Sequence, residues 1–171
     1  AQTKQNNSNY FGALSDYDIA IKLKPDHRFA LFGRAFLNSN IGNISASITD
    51  FTTILEYYNT NADDYFGRGL SLMSIGKYEV AISDFKKAIE LDPKNYRGFY
   101  GFGKASYILG DYKTAYTNLQ IAVERNATDM DTYFFLGLTK NRFGDKEGAS
   151  KYLRKACDMG MSEACDSLKN I

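Results

Sequence analysis

One glycine spacing constrains the fold of this chain more than any other feature. Gly42, Gly76, Gly110 and Gly144 follow one another at a constant step in residue number, which we call the repeat step. A period of roughly 20 to 50 residues, a range that includes this step, is typical of stacked structural repeats, because one small unit cannot bury its apolar face alone. The spacing therefore predicts an array of similar units that share one continuous core.

Bulky and small residues recur at the same step. The bulky column contains Phe51, Phe85, Leu119 and Leu153, and the small column contains Ala88, Ala122 and Ala156, preceded by Ile54. The only two prolines, Pro25 and Pro93, lie two repeat steps apart. Each proline follows an amphipathic segment, so the prolines separate units of the array.

The clearest unit reads as two helices. A first helix from Ala62 ends at Gly76, because glycine adopts the left-handed conformation that terminates a helix without a steric penalty. A second helix from Tyr78 to Leu91 has apolar residues at three- and four-residue spacing along one face. It ends before Pro93, since a residue that precedes proline is disfavoured in helical geometry.

These segments resemble the tetratricopeptide repeat, whose period of about 34 residues equals the repeat step of this chain. The resemblance is carried by Tyr65-Phe-Gly-Arg-Gly69, Gly76-Lys-Tyr78, Ala81-Ile-Ser-Asp-Phe85 and Ala88-Ile-Glu-Leu-Asp-Pro93. It implies an all-α fold, an α-solenoid in which antiparallel helix pairs form a right-handed superhelix. It also implies a protein–protein interaction scaffold that binds a peptide or helix of a partner.

The repeat frame divides the chain into six units. These are a partial first repeat, mainly its second helix, at 1–27, four repeats at 28–61, 62–95, 96–129 and 130–161, and a C-terminal capping helix at 162–171. The first helix of the partial repeat is expected to be missing or reduced to residues 1–7. Ser47 and Ile54 stand where the family prefers alanine, and Lys146 replaces the usual Tyr or Ile, without disturbing the period.

Charge and hydropathy exclude several classes of partner. Lys and Arg number 21 against 20 Asp and Glu, so the formal net charge is +1 and no nucleic-acid partner is expected. No apolar run approaches the roughly 20 residues needed for membrane insertion, and residues 1–9 lack the apolar core of a signal peptide. The expected compartment is the cytoplasm, or the periplasm or exterior if a signal peptide has been removed.

No catalytic site is predicted. His27 is the only histidine, and its place between two helices favours a solvated loop residue over a base or ligand. The carboxylates of Asp63, Asp64, Asp129 and Asp131 lie where helices begin, and there a negative charge offsets the helix dipole. We expect neither a metal nor a cofactor.

One column of aromatic residues is the candidate binding surface. Phe32, Phe66, Tyr100 and Phe134 recur at the repeat step on the side of the first helices that, in the family, lines the concave groove. The predicted groove residues are Phe32, Phe36, Phe66, Leu70, Met73, Tyr100, Lys104, Tyr107, Phe134 and Leu138. The alternative is that these rings only pack between neighbouring helices.

Two arginines are predicted to form structural ion pairs. Arg34 and Arg68 occupy one column of the first helices, and Asp50 and Asp84 occupy the matching column of the second helices. We expect the pairs Arg34 with Asp50 and Arg68 with Asp84, since a buried guanidinium without a partner is unfavourable. The alternative is independent, solvated charges.

The two cysteines, Cys157 and Cys165, are eight residues apart. Their segment is similar to the Sel1-like repeats of secreted cysteine-rich proteins, and that resemblance implies a disulfide between adjacent helices. The alternative is two small buried residues in a cytosolic cap.

The N-terminal edge of the array lacks its expected cover. An apolar stripe there contains Tyr10, Ala13, Leu14, Tyr17 and Ala20. We expect this stripe to pack on a further part of a longer array or on another copy of the chain. The alternative to a peptide-binding scaffold is therefore an assembly module, a homo-oligomer formed through this edge or through the groove.

Overall fold

The computed structural model describes residues 2–125 and 128–171, with the backbone alone for residues 2–9. Within these ranges the chain forms helices and no strand, which confirms the all-α prediction. The helices are α1 (Gln2–Leu23), α2 (Arg28–Asn40), α3 (Ile44–Tyr57), α4 (Ala62–Ser74), α5 (Tyr78–Leu91), α6 (Tyr96–Ile108), α7 (Tyr112–Glu124), α8 (Met130–Arg142), α9 (Lys146–Asp158) and α10 (Ser162–Leu168).

Consecutive helices pack as pairs along the chain. We call α2, α4, α6 and α8 the A helices and α3, α5, α7 and α9 the B helices. From Tyr10 onward, α1 stands in the place of a B helix, one repeat step before α3. The residues before Tyr10 extend α1 instead of forming a separate first helix, and Ala1 lies outside the described residues.

Each A helix ends at a glycine with a left-handed backbone. Gly76 has a φ of 74°, and the N–H of Lys77 donates to the carbonyl of Leu72 at 3.0 Å. This hydrogen bond is the signature of the Schellman motif, which satisfies a free carbonyl at the helix end. The same bond recurs at Asn43, Asp111 and Asp145, so the glycine step sets an equivalent A–B turn in every pair.

Bulky side chains of the B helices insert between neighbouring A helices. Phe85 of α5 is fully buried. It lies against Gly69 of α4 and Gly101 of α6, where an added Cβ would lie 2.6 Å and 2.5 Å from Phe85 Cε1. Only glycine permits this approach, so the B-helix ring contacts the A helix of its own pair and that of the next pair. The repeats are joined in this way into one core.

The last helix covers the C-terminal end of the array. Ala164 of α10 is buried in a cluster with Tyr133, Leu153 and Ala156. Cys157 of α9 and Cys165 of α10 form a disulfide, with 4.9 Å between their Cα atoms. The cap is therefore attached to α9 by both apolar packing and a covalent bond.

Candidate functional site

A cavity of about 450 Å³ opens between the A helices α2, α4 and α6. We call it the A-helix cavity. Its apolar lining consists of Phe32, Phe36, Phe51, Phe66, Gly67, Leu70, Tyr96 and Tyr100, and its polar lining of Asp63, Arg97, Asp129 and Asp131. Five of the predicted groove residues, Phe32, Phe36, Phe66, Leu70 and Tyr100, thus meet in one place.

The rings of the A-helix cavity differ in how firmly they are held. Phe32 packs edge-to-face on Phe51, with ring centroids 5.6 Å apart, and Phe66 packs on Phe85 at 5.9 Å. Both are partly buried. Phe36, in contrast, is 59% exposed, and Leu70 is 36% exposed. The inner rings therefore form a fixed floor, while the outer side chains are free to contact a ligand.

A second cavity of about 400 Å³ adjoins the first through Leu70. Its lining includes two more predicted groove residues, Met73 and Lys104. The ammonium of Lys104 donates to the hydroxyl of Tyr100 at 3.1 Å and lies 5.1 Å from the centre of the Phe135 ring. Lys104 is thereby held against the aromatic surface, where its stem adds apolar contact area.

Polar residues that line the A-helix cavity form hydrogen bonds between neighbouring A helices. Arg97 of α6 donates to Asp63 of α4 at 3.1 Å, and the hydroxyl of Tyr100 donates to Asp131 of α8 at 3.1 Å. Burial, followed by the nearby charge of Asp131, raises the pKa of Tyr100 above its ordinary value. Asp129 caps α8 by accepting the Thr132 N–H at 2.9 Å.

Sequence reasoning treated these carboxylates only as features of helix starts. That interpretation fits Asp129, but it missed the contacts of Asp63 and Asp131 across the array. It also missed the contact of Asp64, a buried carboxylate that accepts two hydrogen bonds from Arg28 of α2 at 2.8 and 2.9 Å. Their position in the first turn of an A helix, close to one repeat step from their partners, was the available signal.

Three predicted groove residues lie elsewhere. Tyr107 packs on the rings of Tyr112 and Phe135, with centroids 5.4 and 5.5 Å apart. Phe134 and Leu138 pack against the C-terminal cluster around Ala164. At this end of the array α10 lies where the next repeat would lie. Phe134 and Leu138 of α8 therefore contact the cap.

The predicted ion pairs form within the repeats. Arg34 donates to Asp50 at 2.6 and 3.0 Å and also to Asp18 of α1 at 2.6 Å. Arg68 donates to Asp84 at 2.7 and 2.8 Å. Asp50 and Asp84 are buried, whereas Asp18 is exposed. Each of the two predicted pairs joins an A helix to its own B helix. Their geometry is that of structural contacts.

His27 caps a helix. Its Nδ1 accepts the N–H of Ala30 at 3.3 Å, which satisfies one of the free donors at the start of α2. The described side chains contain no cluster of three or more His, Cys, Asp or Glu residues suited to a metal. Among the described helices, none combines the length and the apolarity that crossing a membrane requires.

The repeat geometry agrees with a family comparison. The family model for the tetratricopeptide repeat matches residues 62–95, and a second tetratricopeptide-repeat model matches residues 131–159. The chain contains tetratricopeptide repeats. Such repeats typically form protein–protein interaction modules. Among curated proteins, no sequence matches this tetratricopeptide-repeat chain significantly.

Solved structures share the fold over nearly the whole chain. MamA is 20% identical, with a TM-score of 0.79 over 99% of this chain and 96% of MamA. YrrB is 19% identical, with a TM-score of 0.75 over 99% of this chain and 88% of YrrB. TTC0263 of Thermus thermophilus is 16% identical, with a TM-score of 0.76 over 98% of this chain and 93% of that protein. At these identities the likeness concerns the fold.

Proposed function

We propose that this tetratricopeptide-repeat protein binds a segment of another protein in the A-helix cavity. The observation that carries the proposal is the combination of a rigid aromatic floor with exposed side chains above it. Phe32 and Phe66 are fixed by packing on B-helix rings, whereas Phe36 and Leu70 present apolar surface to solvent. Partner segments typically gain most of their affinity by placing a few apolar anchors on such a surface.

The polar lining favours a basic group beside the apolar anchor. Arg97 is already paired with Asp63. In the part of the chain that the structure describes, no basic side chain forms an ion pair with Asp129 or Asp131. A lysine or arginine of the partner would complement these carboxylates, and charge complementarity favours the correct orientation of a bound segment. The proposal requires no catalytic group.

A structural relative supports this use of the fold. YrrB is described as a tetratricopeptide-repeat protein with an unusual peptide-binding site. YrrB and this chain share the fold over nearly their full lengths. The identity of 19% transfers no residue, so the proposal depends on the cavity of this chain.

Selection of short peptides from a displayed random library tests the proposal. The enriched sequences should combine aromatic or large aliphatic anchors with Lys or Arg. Their affinity should fall about tenfold or more in the Phe36→Ala/Leu70→Ala variant, a loss expected when hot-spot contacts are removed. Replacing Val80, a 52% exposed residue of α5, by alanine removes a similar apolar group and should leave affinity unchanged. Equal affinity of the wild type and the double variant, or no enrichment, would exclude the cavity as the site.

A separate variant tests whether the cavity prefers a basic group in the bound segment. Asp131→Asn keeps an acceptor for the Tyr100 hydroxyl but removes the negative charge. It should weaken the binding of enriched basic peptides more than that of versions in which the Lys or Arg is replaced by norleucine. If both kinds of peptide lose affinity equally, Asp131 does not read the partner's charge.

A further inference from the structure

The B-type face of α1 is incomplete on one side. Tyr17 lies against Gly33 of α2. At the next two repeat steps, Phe51 lies against Gly67 and Phe85 lies against Gly101 in the same way. Phe51 and Phe85 are buried because a second A helix, that of their own pair, covers their other side. Tyr17 is only partly buried. Its uncovered side is the place that an A helix occupies in every later pair.

The same face of α1 carries Asp16, and the equivalent aspartates of the next two B helices each pair with an arginine. Asp16, Asp50 and Asp84 stand at successive repeat steps. Asp50 accepts two hydrogen bonds from Arg34, and Asp84 accepts two from Arg68. Asp16 is exposed, and within the described side chains no ion pair reaches it.

The residue after each of these arginines is small. Ala35 follows Arg34, and Gly69 follows Arg68. Ala35 packs in the cluster around Phe51, and Gly69 lies against the ring of Phe85. An arginine followed by alanine or glycine is therefore the A-helix element that fits an aspartate followed by an aromatic residue on the B helix.

We infer that this face of α1 binds a partner helix that carries arginine followed by alanine or glycine. The guanidinium of that helix pairs with Asp16, and its small residue lies against the uncovered side of Tyr17. A bidentate pair of this kind sets the register of the helix as well as adding affinity. Asp16 and Tyr17 thus recognise two adjacent residues of the partner helix.

The A helices of a second folded copy do not supply this element. Within the described helices, the arginines that precede an alanine or a glycine are Arg34, Arg68 and Arg97. Each is already bonded to an aspartate of its own chain, and the small residue that follows it is buried. The equivalent positions of the next two A helices hold Phe102 and Leu136. The helix that completes α1 is therefore not an A helix of a second folded copy.

A helical peptide that copies residues 61–76 is a direct probe, because it contains the element Arg68-Gly69 in a known A helix. A hydrocarbon staple between the positions of Leu70 and Ser74, both exposed in α4, keeps the peptide helical. A fluorescein label allows binding to the full chain to be followed by fluorescence anisotropy. Circular dichroism verifies the helical state of the peptide before titration.

We expect saturable binding that depends on both members of the pair. Arg68→Leu in the peptide should weaken binding about tenfold, and Asp16→Asn in the protein should do the same, on the magnitude of a charge-assisted contact. The two changes together should cost no more than either alone. Exchanging the charges, Asp16→Arg with Arg68→Asp, should restore most of the affinity.

Three outcomes would overturn the inference. The first is no binding of the helical peptide, and the second is equal affinity for the wild-type and Arg68→Leu peptides. The third is loss of binding in Phe36→Ala/Leu70→Ala with no effect of Asp16→Asn, which would place the peptide in the A-helix cavity. Glu79→Gln, an exposed acidic position of α5, is the matched control and should leave the affinity unchanged.

Discussion

Arg68 of α4 donates two hydrogen bonds to Asp84 of α5, from Nε to Oδ2 at 2.8 Å and from Nη2 to Oδ1 at 2.7 Å. The hydrogen bond to Asp84 raises the pKa of Arg68 above its ordinary value. The equivalent positions of the next repeat hold Phe102 and Asn118. One repeat therefore carries an ion pair between its two helices at positions where its neighbour carries a phenylalanine and an asparagine.

Breaking this pair on one side should destabilise the fold more than replacing both members. Asp84→Ala leaves a half-buried guanidinium unpaired and should lower the free energy of unfolding by about 2–3 kcal/mol. The double change Arg68→Phe/Asp84→Asn copies the next repeat and should recover at least half of that loss. Urea unfolding followed by circular dichroism measures both. An additive loss in the double variant would contradict the prediction.

The outer and inner residues of the A-helix cavity should separate binding from stability. Phe36→Ala and Leu70→Ala should each change the free energy of unfolding by less than about 0.5 kcal/mol, because both side chains are exposed. Phe66→Ala removes a ring packed on Phe85 and should cost about 3 kcal/mol. Thermal and urea unfolding of the three variants checks this order. A stability loss for Phe36→Ala as large as that for Phe66→Ala would contradict it.

The sequence predicts the periodic features of this chain well and its end effects poorly. The repeat step predicts the turn at Gly76 and the helix from Tyr78 to Leu91, because every unit repeats the same local chemistry. Phe134 shares the column of Phe66, yet it packs toward α10. A column describes an average repeat, and the last repeat has a cap in place of a neighbour.

The repeat pattern of the sequence also does not predict the contacts between A helices of successive repeats. The bond from Tyr100 to Asp131 joins α6 to α8. The bidentate pair of Arg28 and Asp64 joins α2 to α4 in a similar way. These distances depend on the angle between successive repeats. Residue spacing fixes which helices are neighbours, but it leaves that angle open.

The disulfide should stabilise the C-terminal cap selectively. Closing a loop of this size, between residues separated by eight positions, contributes about 2–3 kcal/mol by restricting the unfolded chain. The Cys157→Ala/Cys165→Ala variant should therefore exchange the amide protons of α10 faster. The amides of α4 and α5, far from the disulfide along the array, should keep their protection. Uniform loss of protection along the chain would mean that the disulfide supports the whole array.

Asp111 should make the start of α7 sensitive to acid. Its Oδ1 accepts the N–H of Thr114 at 3.1 Å, and hydrogen bonds from Thr114 lower the pKa of Asp111 below its ordinary 3.8. A carboxylate with a lowered folded pKa contributes stability that is complete above its unfolded pKa. That contribution disappears as the pH falls through the folded value.

Two variants separate the charge of Asp111 from its capping role. Asp111→Ala should cost about 1 kcal/mol at neutral pH, the usual loss for a missing N-cap acceptor. Asp111→Asn keeps an acceptor that does not titrate and should cost less. As the pH falls below 3.8, the stability of the wild type relative to Asp111→Ala should decrease. The stability of Asp111→Asn relative to Asp111→Ala should stay constant over the same range. Urea midpoints at neutral and acidic pH measure both differences, and a wild-type advantage that does not change with pH would show that the carboxylate caps α7 without any contribution from its charge.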